Sequence, residues 1–223
     1  MKILTGNHLK LIAAAAMFLD HMGVMLFPGN MSLRIIGRLA LPIYAYMIAE
    51  GCKYTRSKAK YLGMVFSLAV VCQTVYFFFA GDTYLSILFT LSLAIGTIFT
   101  LQRWQKDPTA GNALAVSLAV AGVYLLNRVF TIDYGFWGCM LPVFPALVHN
   151  TPYDKTSASV AALGLGLVLL AVSTGGIQWF SLLALPLLLM YSGKRGKLRM
   201  KYFFYIFYPV HLVVLEGIAM LMP

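Results

Sequence analysis

The sequence predicts an all-α, polytopic transmembrane helix bundle of about nine helices, with eight to ten as the range. Three observations carry this. Of the 223 residues, 61% are hydrophobic and only 11% are charged, whereas a soluble domain holds about 45–50% apolar and about 25% charged residues. The apolar residues recur along the whole chain in runs of bilayer-crossing length, about 20 residues each. The basic residues sort by loop, as topology signals do. This composition excludes a soluble globular enzyme, a disordered chain and a secreted disulfide domain.

The elements follow in order. The first run covers 9–27 and contains Asp20 and His21, with no small-x-small cleavage site after it. It therefore reads as a transmembrane helix and not as a cleavable signal. The second covers 33–52 and holds Pro42, which is expected to bend it. Runs over 61–80, 84–101 and 112–128 are uninterrupted. The sixth, 134–149, carries Pro142 and Pro145 and is expected to kink or break. The seventh, 157–174, and the eighth, 177–191, are separated by Gly175-Gly176, as in a tight hairpin. The ninth covers 202–221. Linkers are too short for a second domain, so residues 1–223 read as one integral membrane domain. Cys52, Cys72 and Cys139 are an odd number without C-x-x-C spacing, so neither a disulfide framework nor a zinc site is expected. No metal is expected.

The net charge of +10 is informative through its positions. Nine helices with a cytoplasmic N-terminus put 14 of the 17 basic residues on the inner side, which satisfies the positive-inside rule. Lys53, Arg56, Lys58 and Lys60 form one inner cluster. Lys194, Arg195, Lys197, Arg199 and Lys201 form another. Only Arg34, Arg38 and Arg128 fall outside. Nucleic acid is therefore not an expected partner; the lipid bilayer is.

Ionisable residues inside a membrane are costly and mark functional sites by default, with a structural ion pair as the bland alternative. At 1.5 Å per residue, His21 lies about 18 Å from the inner face, Arg38 about 23 Å and His211 about 14 Å. An acid, two histidines and an arginine from three helices thus converge near the midplane. Asp20 and His21 are adjacent, so they point about 100° apart. Asp20 is expected to pair with Arg38. His21 is then the candidate acid/base, because an unperturbed imidazole titrates near neutrality. Arg34 and Arg38 share a face, one turn apart. Glu50 lies near the inner face beside Lys53–Lys60 and reads as their partner or as part of a site. His8 and His149 are expected at the surface. The aromatics opening the last helix read mostly as an interfacial belt, with Tyr205 and Tyr208 as candidates for lining a cavity.

The two basic loops have a bland reading, attraction to anionic lipid. The sharper reading is a phosphate site for a polyanionic cytoplasmic donor such as coenzyme A. The candidate donor-binding set is Glu50, Lys53, Tyr54, Arg56, Lys60, Lys194, Arg195, Lys201, Tyr205 and Tyr208.

Longer motifs add to this. Met17-Phe-Leu-Asp20-His21-Met-Gly23 resembles the M-x-x-D-H-x-G segment of the TraX family. Ile36-Gly-Arg38-Leu-Ala-Leu-Pro42 through Glu50-Gly51 resembles its second helix, and Ile87-Leu-Phe-Thr90 the start of its fourth. Asp133-Tyr134-Gly135-Phe-Trp-Gly138 resembles its D-Y-G-x-x-G segment, and Tyr208-Pro209-Val-His211 its closing Y-P-x-H helix. Residues 102–130 and 150–192 carry little of the resemblance. It implies a protein of the bacterial cytoplasmic membrane similar to the F-pilin acetylase and to transmembrane acyltransferases. The implied activity is transfer from cytoplasmic acetyl-CoA to an amine or hydroxyl of a peptide N-terminus, a small molecule or a glycan. Carried over by motif, His21 is the catalytic histidine, supported by Asp20, Arg38, Glu50 and His211. Arg38, His211 or Tyr208 is the expected oxyanion donor. Direct transfer and an acetyl-His21 intermediate both fit. The rival classes are a transporter or flippase without acyl chemistry, and a non-catalytic scaffold. Neither an inverted repeat nor paired broken helices favours transport.

Overall fold

The computed structural model describes residues 2–80, 83–197 and 201–222, apart from the side chains at 76, 79–80, 201–202 and 204–205. Among the described residues the regular structure is helical, with isolated bridges at Leu4–Tyr191 and Leu85–Ile132. The helices are α1 (Gly6–Met25), α2 (Met31–Gly37), α3 (Ala40–Tyr54), α4 (Lys58–Ala80), α5 (Ile87–Lys106) and α6 (Ala110–Val129). They continue with α7 (Gly135–Met140), α8 (Val143–Val148), α9 (Thr156–Thr174), a 3₁₀ helix (Gly176–Leu183), α10 (Ala184–Leu189) and α11 (Lys201–Leu221).

Broken pairs account for the difference from nine. Segments α2 and α3, α7 and α8, and the 3₁₀ helix with α10 each occupy one expected run. The expected count thus holds among the described residues, and the breaks have local causes. Pro42 cannot donate to the carbonyl four residues back, so the chain opens at Arg38–Leu39, one turn before it. Pro142 forms the N-cap of α8 and ends α7. Gly175 and Gly176 have φ of +69° and +55°, a left-handed reversal between α9 and the 3₁₀ helix that glycine adopts without steric cost. Five spans are long and apolar enough to cross a bilayer, among them Gly6–Met25, Met31–Tyr54 and Thr156–Thr174. The chain is a multi-pass membrane protein.

The chain divides into two compact units, Met1–Tyr44 with Gly175–Pro223, and Ala45–Thr174. In the first, α1 buries Leu9, Ala13, Ala16 and Met17 on one face. Helix α11 buries Tyr208, His211, Leu212 and Leu215, which recur at i, i+3, i+4 and i+7, and exposes Ile206, Val210, Val213 and Val214. This periodicity turns His211 inward and gives the apolar face to lipid. Thr5 caps α1 through the His8 amide. The next orphan amides of α1 are taken by the basic loop: Gly6 donates to the Lys194 carbonyl (2.8 Å) and Asn7 to the Arg195 carbonyl (2.9 Å).

In the second unit α5 is central. Its Leu88, Leu91, Ala94, Ile95, Ile98 and Leu101 are buried, and Ala49, Cys52, Val65 and Ala146 pack with Ile95 and Ile98. The D-Y-G segment is architectural. Thr90 Oγ1 donates to the Asp133 carbonyl (2.7 Å), and Tyr84 Oη donates to the Asp133 carboxylate (2.9 Å). Tyr134 takes a left-handed φ of +58° to open α7. The Tyr84 phenol, outside the spans, is pushed up from its usual value by burial and by the Asp133 charge beside it.

Candidate active site

The first unit collects the intramembrane polar residues. Helices α1 and α2 cross so closely that a Cβ at Gly37 would overlap the Asp20 side chain. At Gly23 a Cβ would meet Leu33 Cβ at 3.0 Å. The two glycines thus let α2 lay its arginines across α1. Asp20 is the shared partner: Arg34 Nη1 reaches Oδ1 at 3.0 Å, and Arg38 Nη2 bonds Oδ2. The expected Asp20–Arg38 pair is present, with Arg34 as a second cation.

Arg38 sits at the break between α2 and α3 and is 8% exposed. Its Nε donates to the Arg34 carbonyl and its Nη1 to Gln178 Oε1, each at 3.4 Å. An isolated guanidinium is very costly in a low-dielectric interior; one distributed over a carboxylate, a carbonyl and an amide is far less so. Gln178 did not emerge from the sequence. Its signal was present: a lone amide in the apolar stretch after Gly175-Gly176.

His21 points away from Asp20, as adjacency on a helix requires. Its Nδ1 lies 2.8 Å from His211 Nε2. His211 Nδ1 lies 2.7 Å from the Phe207 carbonyl. A carbonyl only accepts, so His211 Nδ1 carries a proton. In a neutral His211 the Nε2 is then an acceptor, and His21 Nδ1 must donate to it. His21 Nε2 is left with its lone pair. The order Phe207 carbonyl, His211, His21 therefore sets both tautomers and presents one basic nitrogen. Phe207 stacks on His211 with centroids 4.8 Å apart, and Tyr208 meets it edge-on at 5.8 Å.

The second unit holds a separate ionic cluster. Lys53 Nζ pairs with Asp154 at 2.8 Å. His149 Nε2 lies 3.5 Å from Glu50 Oε1. His149 was expected at the surface, yet it is fully buried. The chain turns at Asn150, with φ of +61°, and tucks the imidazole under the loop. Lys53 takes Asp154 as its ion-pair partner and also feels the Glu50 charge nearby. Burial pushes the Asp154 carboxyl up, but the Lys53 ammonium and the Asn150 amide outweigh it and hold it below its usual value. Tyr54, Arg56 and Lys60 are exposed, as are Lys194 and Arg195 of the first unit. Lys201 and Tyr205 have side chains outside the described residues, and Arg199 lies outside them altogether.

A multi-pass helical membrane protein with a hydrogen-bonded histidine pair and a buried acid–arginine cluster is the class these features define. The chain belongs to the TraX family, whose description is TraX protein and which matches residues 5–219. It is 29% identical to a protein of Dichelobacter nodosus named probable fimbrial assembly protein FimC, serogroup H1, over 93% of this chain and 92% of that one. No solved structure matches the chain.

Proposed function

We propose that this protein moves an acetyl group from cytoplasmic acetyl-CoA to an amine or hydroxyl at or across the bacterial cytoplasmic membrane, with its N-terminus inside. The observation that carries the reading is the His21–His211 pair, because its tautomers leave His21 Nε2 as a base in a site with few other titratable groups. In the reaction, the acceptor nitrogen or oxygen attacks the thioester carbon and His21 Nε2 takes its proton. The C–S bond then breaks, and coenzyme A leaves as the thiol with that proton. Asp20, Arg34 and Arg38 hold α2 against α1 and keep the site polar. His211 orients His21.

In the first unit, which also holds His21, the exposed Lys194 and Arg195 suit the phosphates of the donor. The relative named for fimbrial assembly favours a pilin-type peptide N-terminus over a small molecule or glycan as the acceptor. Incubation of the purified protein with acetyl-CoA and a peptide bearing a free N-terminus tests the reading. Thiol release matched by acetylated peptide supports it. Gradient-coupled solute uptake into proteoliposomes without any thiol release would replace it with transport.

A further inference from the structure

The 3₁₀ helix Gly176–Leu183 carries two polar side chains that the reaction above does not use. An eight-residue 3₁₀ run is uncommon, since such runs rarely exceed about four residues. Its three-residue period eclipses positions i and i+3, so Gln178 and Ser181 stand on the same side. Both are inward: Gln178 is 4% exposed and Ser181 is 0% exposed. Arg38 can only donate, so its bond to Gln178 assigns the amide oxygen to that contact and turns Nε2 away from it. Among the described residues, neither Gln178 Nε2 nor Ser181 Oγ has a hydrogen-bond partner. Two neighbouring buried donors without partners are costly, by about 1–3 kcal/mol each in typical proteins.

We propose that Gln178 Nε2 and Ser181 Oγ form the seat for the carbonyl oxygen of the acyl donor. This rests on the acyl-transfer reading. Attack by the acceptor moves the carbonyl π pair onto that oxygen, while the acceptor's proton goes to His21 Nε2. The oxyanion receives the Gln178 N–H and the Ser181 O–H. It re-forms the carbonyl as the C–S bond breaks, and the proton on His21 passes to the departing sulfur. The chain Asp20–Arg38–Gln178 strengthens the seat, because a guanidinium bonded to the amide oxygen polarises the amide N–H. Asp20 and His21 are consecutive, so one turn of α1 anchors both the proton acceptor and the oxyanion support.

The test compares two thioether analogues of acetyl-CoA on the purified full chain in lipid nanodiscs. S-acetonyl-CoA keeps a carbonyl, and S-propyl-CoA lacks it. Wild type is expected to bind the ketone about tenfold more tightly. Ser181→Ala, a mild change that leaves Arg38 and Gln178 in place, is expected to remove most of that preference without weakening S-propyl-CoA. Gln178→Met should do the same. Equal affinities in wild type, binding of neither analogue, or an unchanged preference in both variants would overturn the seat. Acetyl transfer measured on the same wild-type sample separates the two readings. A ketone preference without transfer fails the reaction and keeps the seat; transfer without preference fails the seat alone.

Discussion

His21 Nδ1 and His211 Nε2 are 2.8 Å apart, although 190 residues separate them in the chain. The contact joins the first long helix to the last and makes the tautomer of one histidine depend on the other. The Phe207 carbonyl at the far end makes the direction of the chain determinate. ¹⁵N NMR of histidine-labelled protein at neutral pH is therefore expected to show His211 protonated at Nδ1 and His21 unprotonated at Nε2. A His21 signal protonated at Nε2 alone would contradict the assignment.

His211 should matter through orientation. His211→Leu is expected to lower acetyl transfer about ten- to a hundredfold, in line with losses on removing a partner that orients a working histidine. His211→Gln, whose amide oxygen can still accept from His21 Nδ1, should recover part of that. Equal loss in the two variants would point to a different role.

The Arg38 guanidinium reaches in separate directions to Asp20, the Arg34 carbonyl and Gln178. A lysine has one nitrogen at that end and cannot span them. Arg38→Lys is expected to destabilise the protein nearly as much as Arg38→Ala, by about 3–5 kcal/mol for a broken buried pair. Arg34 is more exposed, so Arg34→Ala should cost clearly less. Thermal unfolding in detergent distinguishes the order.

Gly37 has no room for a methyl group, since one there would overlap Asp20. Gly37→Ala is expected to cost about 1–3 kcal/mol by overpacking. Because the strain falls on Asp20, it should also reduce transfer. Gly217→Ala, where a Cβ meets nothing within 4 Å, is the control and should be close to neutral.

Asp154 supplies a pH dependence. Its carboxyl titrates below its usual value near 3.8 because Lys53 and the Asn150 amide bind the charged form. A depressed folded value stabilises the protein above the unfolded value, and the contribution is lost as pH falls through the folded one. The loop carrying Asp154 should therefore loosen between about pH 5 and pH 2. Asp154→Asn removes this dependence. Hydrogen exchange at residues 150–155 across that range reads it, and an unchanged profile in the variant would contradict it.

Much of this architecture is legible in the chain. Apolar runs and Gly/Pro punctuation give the nine helical segments of the described residues, because those residues act locally on the backbone. The Asp20–Arg38 pair follows from depth and the expense of a lone intramembrane charge. Gln178 and His149 were harder to see. Their roles depend on which helix a side chain meets, and an uncharged residue leaves no topology signal. Asp154 sits 101 residues from Lys53, so only the fold brings the two together. The glycines of M-x-x-D-H-x-G and of Ile36-Gly-Arg38 are visible in sequence, but their use as a close helix crossing is a property of packing.

In the proposed reaction His21 is the base of an acetyl transfer. Labelled acetyl-CoA, a peptide acceptor and purified protein test it, with His21→Ala beside wild type and unfolding midpoints compared to show that both fold. The expected result is a loss of about 10²–10⁴-fold in transfer by the variant, the usual contribution of a positioned acid–base group. A folded His21→Ala protein that transfers acetyl at the wild-type rate would contradict the account.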